Sequence, residues 1–108
     1  RADEVFYVVS LDAACRVMHA AVLAHGTVAE VRLHPRQVVE TALRSRASSV
    51  LFIHNHPAGT ARPSTDDLRL TETLVKVLQP LSIKVLDHII VAGDQAYSFV
   101  RGNVMPKS

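Results

Sequence analysis

Residues Ser49 to Ile53 (SVLFI) form a short, nearly all-apolar run of strand-forming residues that opens directly onto His54-Asn55-His56. A run without alternation toward solvent suits a central strand covered on both faces. A chain of 108 residues holds one compact domain and one core, so the remaining segments have to be arranged around that strand.

Val5 to Leu11 (VFYVVSL) is rich in β-branched and aromatic residues and reads as a second buried strand, after which Asp12 gives a turn. Cys15 to His25 stays open between helix, favoured by its alanines, and strand, favoured by Arg16-Val17-Met18 and Val22-Leu23. Gly26 ends it. Thr27 to Leu33 alternates apolar and polar, as a half-exposed strand does. Pro35 suits the first position of a helix that carries Val38, Val39, Ala42 and Leu43 along one face and fades near Ala47. Pro57, Gly59 and Pro63 mark an irregular loop. Ser64 to Gln79 is the clearest helix: Ser64 caps it with Asp67 three residues on, Leu68, Thr71, Leu74, Val75 and Leu78 share a stripe, and Pro80 ends it. Ile83 to Val91 and Ala96 to Val100 read as two strands joined in a hairpin at Gly93-Asp94. Helices interleaved with strands give an α+β or mixed α/β domain.

Composition narrows the function classes. With 48% hydrophobic and 20% charged residues, disorder is excluded as the default. The net charge is only +2 despite a sequence pI near 9.0. The arginines Arg16, Arg32, Arg36, Arg44, Arg46, Arg62 and Arg69 are scattered, and tryptophan is absent. DNA is therefore a possible partner that the charge pattern does not advertise. Cys15, the single cysteine, excludes an internal disulfide and a cysteine-based zinc knuckle, reads as a buried small residue, and fits a reducing cytoplasm. No apolar run approaches the roughly 20 residues needed to span a bilayer, and no signal-peptide pattern opens the chain. No membrane partner is expected. The first residue is Arg1 rather than Met, as in a fragment of a longer protein.

The chemistry concentrates between positions 54 and 67. If the strand continues to His54 and His56, residues i and i+2 project from one face, about 6.5 Å apart. Two imidazoles at that spacing can converge on one ion about 2.0–2.1 Å from each nitrogen. The loop through Pro57 and Gly59 turns the chain back, so that Asp67 in the first turn of the next helix can add a carboxylate oxygen. Two histidines and one carboxylate leave a fourth position open, the mark of a catalytic rather than a structural zinc site. Each part alone is ordinary: a histidine at a strand end meets solvent, Ser-x-x-Asp caps a helix, and Pro with Gly makes a turn. Together, at this spacing, they are specific.

His54-Asn55-His56-Pro57-Ala58-Gly59, followed by Pro63-Ser64 and Asp67, resembles the JAMM signature of JAB/MPN metalloproteases and, more narrowly, the bacterial RadC family. The likeness continues in Gly26-Thr27, in His34-Pro35-Arg36 leading a helix, in Leu86-Asp87-His88-Ile89-Ile90 and in Tyr97-Ser98-Phe99, so it covers nearly the whole chain. Ala58 stands for the usual Ser, and Gln37 where the family often has Glu; neither removes a presumed ligand. The family's N-terminal helical segment is absent. The resemblance implies a single domain over 1–108, with a central mixed sheet flanked by helices in a layering like that of cytidine deaminases.

It further implies zinc ligands at His54, His56 and Asp67, with Ser64 hydrogen-bonding the oxyanion or the attacking water. It also requires an upstream glutamate as general base. Glu4, directly before VFYVVSL, fits by position, with Glu30 and Glu40 as competitors. The implied activity is zinc-dependent hydrolysis of a peptide or isopeptide bond in a protein or peptide substrate. The alternative is a DNA-repair-associated module that binds DNA and keeps a structural metal. Iron or manganese in place of zinc stays open.

Elsewhere, Asp66 reads as a charge favoured by the helix dipole. His88 is either a core histidine or one behind the ligands, and His19, His25 and His34 read as solvated or capping groups. Two look-alikes fall away. In HNH nucleases the three residues are dispersed rather than contiguous, and zinc deaminases need a Glu at position 56 and a second cysteine.

Overall fold

The computed structural model describes residues 4–26, 33–57 and 59–102. Strand-forming residues run from Glu4–Leu11 (β1) into Val17–Gly26 (β2). Between them lies a turn in which the Asp12 carboxylate accepts the N–H groups of Ala14 and Arg16, each at 2.9 Å. Helix Pro35–Arg44 (α1) follows, then Ser49–Asn55 (β3), helix Thr65–Leu78 (α2), a 3-10 turn at Gln79–Leu81, Lys84–Ala92 (β4) and Gln95–Ser98 (β5). The sheet order is β2-β1-β3-β4-β5. Only β3 and β4 run parallel, joined through α2; the other neighbours are antiparallel. The fold is α+β with a five-stranded mixed sheet and two helices, consistent with a JAB/MPN-like fold. No described helix is long and apolar enough to cross a membrane.

From Val17 on, the open segment Cys15–His25 is a strand. Its backbone pairs with β1 from Leu11↔Val17 to Glu4↔Gly26, and that ladder overrides the helical preference of its alanines. Cys15 is not the buried residue expected of it. It is exposed with φ of 61°, because it closes the turn after Asp12, donating its N–H to the Asp12 carbonyl at 2.9 Å. The strand expected over Thr27 to Leu33 falls mostly on positions 27–32, outside the described residues, as do Glu30 and Ala58 and the side chain of His25.

β3 is central, as its apolar run requires, but among the described residues helices cover the sheet on one face. Phe6, Val8, Val50, Phe52 and Ile90 are buried with Val38 and Ala42 of α1 and Leu74 and Leu78 of α2 in one cluster. Leu51 and Ile53, on the opposite face, are half-buried. Burial under α1 and α2 therefore accounts for alternate residues of the run rather than for all of it.

A register shift in the β3–β4 ladder matters for the site. Val50 pairs with Val85, but Leu51 pairs with Asp87. The extra residue, Leu86, re-phases β4 as a bulge does, so Val85, His88 and Ile90 all face the core.

Candidate metal centre

The site forms where β3 delivers its apolar run to the mouth of the fold. His54 faces inward at the end of β3, 4% exposed. His56 lies just past the strand, held by its own N–H donating to the Val91 carbonyl at 2.8 Å. Between them Asn55 does different work: its Oδ1 accepts the Val5 N–H at 2.5 Å. That bond extends the β1–β3 pairing one step beyond Phe6↔His54, and it brings Glu4 to the site. The Glu4 carboxylate meets His54 Nε2.

Asp67 arrives from the other side. Ser64 caps α2, its Oγ accepting the Asp67 N–H at 3.0 Å, while Asp67 Oδ2 accepts the Ser64 N–H at 2.8 Å. This reciprocal box aims the carboxylate at both histidines. Oδ2 lies 3.0 Å from His56 Nε2 and Oδ1 lies 3.6 Å from His54 Nδ1. Burial raises the Asp67 carboxyl pKa, but the Ser64 N–H, the His54 charge, the Ser64 hydroxyl and His56 outweigh it, and the pKa is lowered. Asp67 is an anion at neutral pH.

The hydrogen bonds fix one tautomer. His56 Nδ1 lies 2.9 Å from the Thr60 carbonyl, and a carbonyl can only accept, so Nδ1 carries hydrogen. In a neutral ring, Nε2 then presents a lone pair to a carboxylate oxygen. Two such donors repel unless a proton or a cation lies between them. His54 Nδ1 is buried without a hydrogen-bond partner, a condition that asks for an explanation in a native site. Donor atoms of Glu4, His54 and His56 lie within 4.8 Å of one another and could hold a metal ion. Asp67 lies outside that group of three, its oxygens facing His56 Nε2 at 3.0 Å and His54 Nδ1 at 3.6 Å. Two nitrogens and carboxylate oxygens form a donor set that suits zinc, so the residues fit the ion.

Of the residues singled out in the sequence, the structure thus brings together Glu4, His54, His56, Ser64 and Asp67. Glu40 is elsewhere, exposed on α1 and 3.3 Å from Arg36. Asp66 is exposed in the first turn of α2, and His19 is exposed on β2. His34 sits at the start of α1, where its N–H donates to Gln37 Oε1 at 3.0 Å; Gln serves here as Glu would. Reading the sequence missed two contributors, Asn55 and Thr60. Only Asn55 carried a signal, through its place in the quoted motif.

The family model described as a RadC-like JAB domain matches residues 1–104. A UPF0758 protein of Pseudoalteromonas translucida (strain TAC 125) is 45% identical over 97 residues, covering 90% of this chain and 43% of that protein. A UPF0758 protein of Paraburkholderia phytofirmans is 41% identical over 98 residues, covering 91% of this chain and 38% of that protein. The chain therefore spans about two fifths of the length of these relatives.

Proposed function

Because the chain belongs to the RadC-like JAB domain family, we propose that it is a zinc-dependent hydrolase acting on a peptide or isopeptide bond in a protein or peptide substrate. The observation that carries this is the convergence of two imidazoles and two carboxylates at one mouth, with His56 Nε2 left to bind by the Thr60 carbonyl.

His54, His56 and Asp67 hold the metal, and Glu4 acts as base. Asp67 has the properties of a ligand: it is buried, ionised and locked at its backbone by the Ser64 cap. Glu4, the first residue of a strand, brings its carboxylate to the site against His54 Nε2. Zinc bound there supplies a Lewis acid for the scissile carbonyl and lowers the pKa of a water molecule toward 7. The Glu4 carboxylate takes the proton of the attacking water and passes it to the leaving amine. The Ser64 hydroxyl, whose oxygen already accepts the Asp67 N–H, still has its hydrogen to donate to the oxygen on which charge develops.

Zinc titration and hydrolysis of an isopeptide-linked peptide, measured together, test the roles. Glu4→Gln is expected to keep zinc and to lose activity by about 10²–10⁴-fold, the range for removing a general base. His56→Ala is expected to lose both. Loss of zinc in Glu4→Gln would make Glu4 a ligand instead, and a wild-type chain that takes up no zinc on reconstitution would end the proposal.

A further inference from the structure

His88 occupies a position where an apolar residue would be the simpler choice. It is fully buried, stacked on Phe99 at 4.4 Å and 14°, and edge-on to Phe6 and Phe52 at 5.6 and 6.0 Å. Its Nε2 has no hydrogen-bond partner. A buried polar atom without a partner destabilises a fold, so packing alone does not account for an imidazole here.

The other ring nitrogen shows what the imidazole offers. Nδ1 lies 2.6 Å from Thr71 Oγ1, and Thr71 Oγ1 donates to the main-chain carbonyl of Asp67 at 2.9 Å. With the hydroxyl hydrogen committed to that carbonyl, the Thr71 oxygen accepts, and Nδ1–H of His88 donates. The chain of bonds runs from β4 through α2 to the residue that faces His54 and His56. The β4 bulge is what turns His88 toward it.

From this geometry we infer that His88 is a positioning residue for the metal-binding carboxylate: through Thr71 it fixes the first turn of α2 against β4 and so sets the reach of Asp67 toward the histidines of β3. The inference rests on the zinc assignment made above. Ser64 holds Asp67 within its own helix, but the Ser64 bonds are local and cannot set the distance between α2 and the sheet. The Thr71–His88 bond spans that gap.

The test is zinc affinity of the full chain by chelator competition, with the metal-free melting temperature measured beside it. His88→Phe and Thr71→Val are expected to bind zinc about 10–100-fold more weakly, the usual effect of removing a group that orients a metal ligand. The metal-free melting temperature of His88→Phe is expected to hold or rise, which a purely structural role would not produce together with weaker binding. His88→Asn, which keeps an N–H at the Nδ1 position, and Thr71→Ser, which keeps the hydroxyl, are expected to bind as the wild type does. If His88→Phe fails to fold, the Thr71→Val and Thr71→Ser pair decides alone. Folded His88→Phe or Thr71→Val with wild-type affinity overturns the inference and leaves the zinc assignment standing. A wild-type chain without zinc affinity overturns both.

Discussion

Two aspartates of this chain sit in neighbourhoods made from the same residue types and end with opposite chemistry. Asp87, on β4, is satisfied by neutral donors: Oδ1 accepts the N–H groups of His88 at 2.7 Å and Val100 at 3.1 Å, and Oδ2 accepts the Ser98 hydroxyl at 2.5 Å. Asp67 accepts one N–H from Ser64 and turns its remaining capacity toward two imidazoles. Both have a serine partner. The difference is whether the second oxygen meets a donor that belongs to the fold or a group that can itself bind an ion. A saturated carboxylate ties the chain together, whereas a half-saturated one among histidines is poised for a cation.

Exchanging the losses would separate the two roles. Asp67→Ala is expected to weaken zinc binding by more than about 100-fold, beyond the cost of losing a merely orienting group. Asp87→Ala is expected to leave zinc affinity unchanged. Chelator competition on both variants measures this, and equal losses would break the comparison. The reverse contrast appears in folding. Asp87→Ala leaves two N–H groups and a hydroxyl without their acceptor and is expected to cost about 2–3 kcal/mol in urea unfolding. In a chain of this size that lowers the melting temperature by roughly 10 °C or more.

Protons provide a third and smaller contrast, in the metal-free protein. Burial, then the charge of His54, lowers the His88 pKa from 6.5 to about 3. The unfolded chain therefore takes up this proton near pH 6.5, and the folded chain only near 3. Between those values protons favour the unfolded state, so stability present above about 6.5 is lost as pH falls toward 3. The slope reaches about 1.4 kcal/mol per pH unit. Asp67, whose pKa is also lowered, adds a loss of the same sign below the ordinary carboxylate range. Urea titrations at successive pH values read the slope, and His88→Phe should remove most of it above pH 4. A slope unaltered in that variant would show that the acid sensitivity arises elsewhere.

Much of this was open to reading in the chain. The SVLFI run located the central strand, the cap at Ser64 located the start of α2, and the spacing of His54, His56 and Asp67 foretold that strand and helix would meet. Those are local signals whose meaning depends on a few neighbours. What could not be read depends on long-range pairing. The β2 segment is rich in alanine and became a strand because β1 offered it a ladder. That Glu4 reaches His54 depends on the Phe6↔His54 register, which no local signal carries. Strict alternation from Val85 would place His88 on the far face, and only the bulge at Leu86 turns it inward. One-sided helical coverage of the sheet among the described residues was likewise hidden, since an apolar run records that a strand is central without saying which layer lies over each face.

The tether from Asn55 to Val5 has a consequence for order of disassembly. On the proposed assignment, the candidate ligands His54, His56 and Asp67 would all come from the single crossover unit that runs from β3 through α2 to β4, while Glu4 comes from the tip of a different strand. On that assignment, opening of that tip by one residue is expected to silence turnover and spare cation retention. The proposed holding of an ion and the proposed use of it would then draw on separate parts of the chain, with the Asn55 amide joining β3 to the tip of β1.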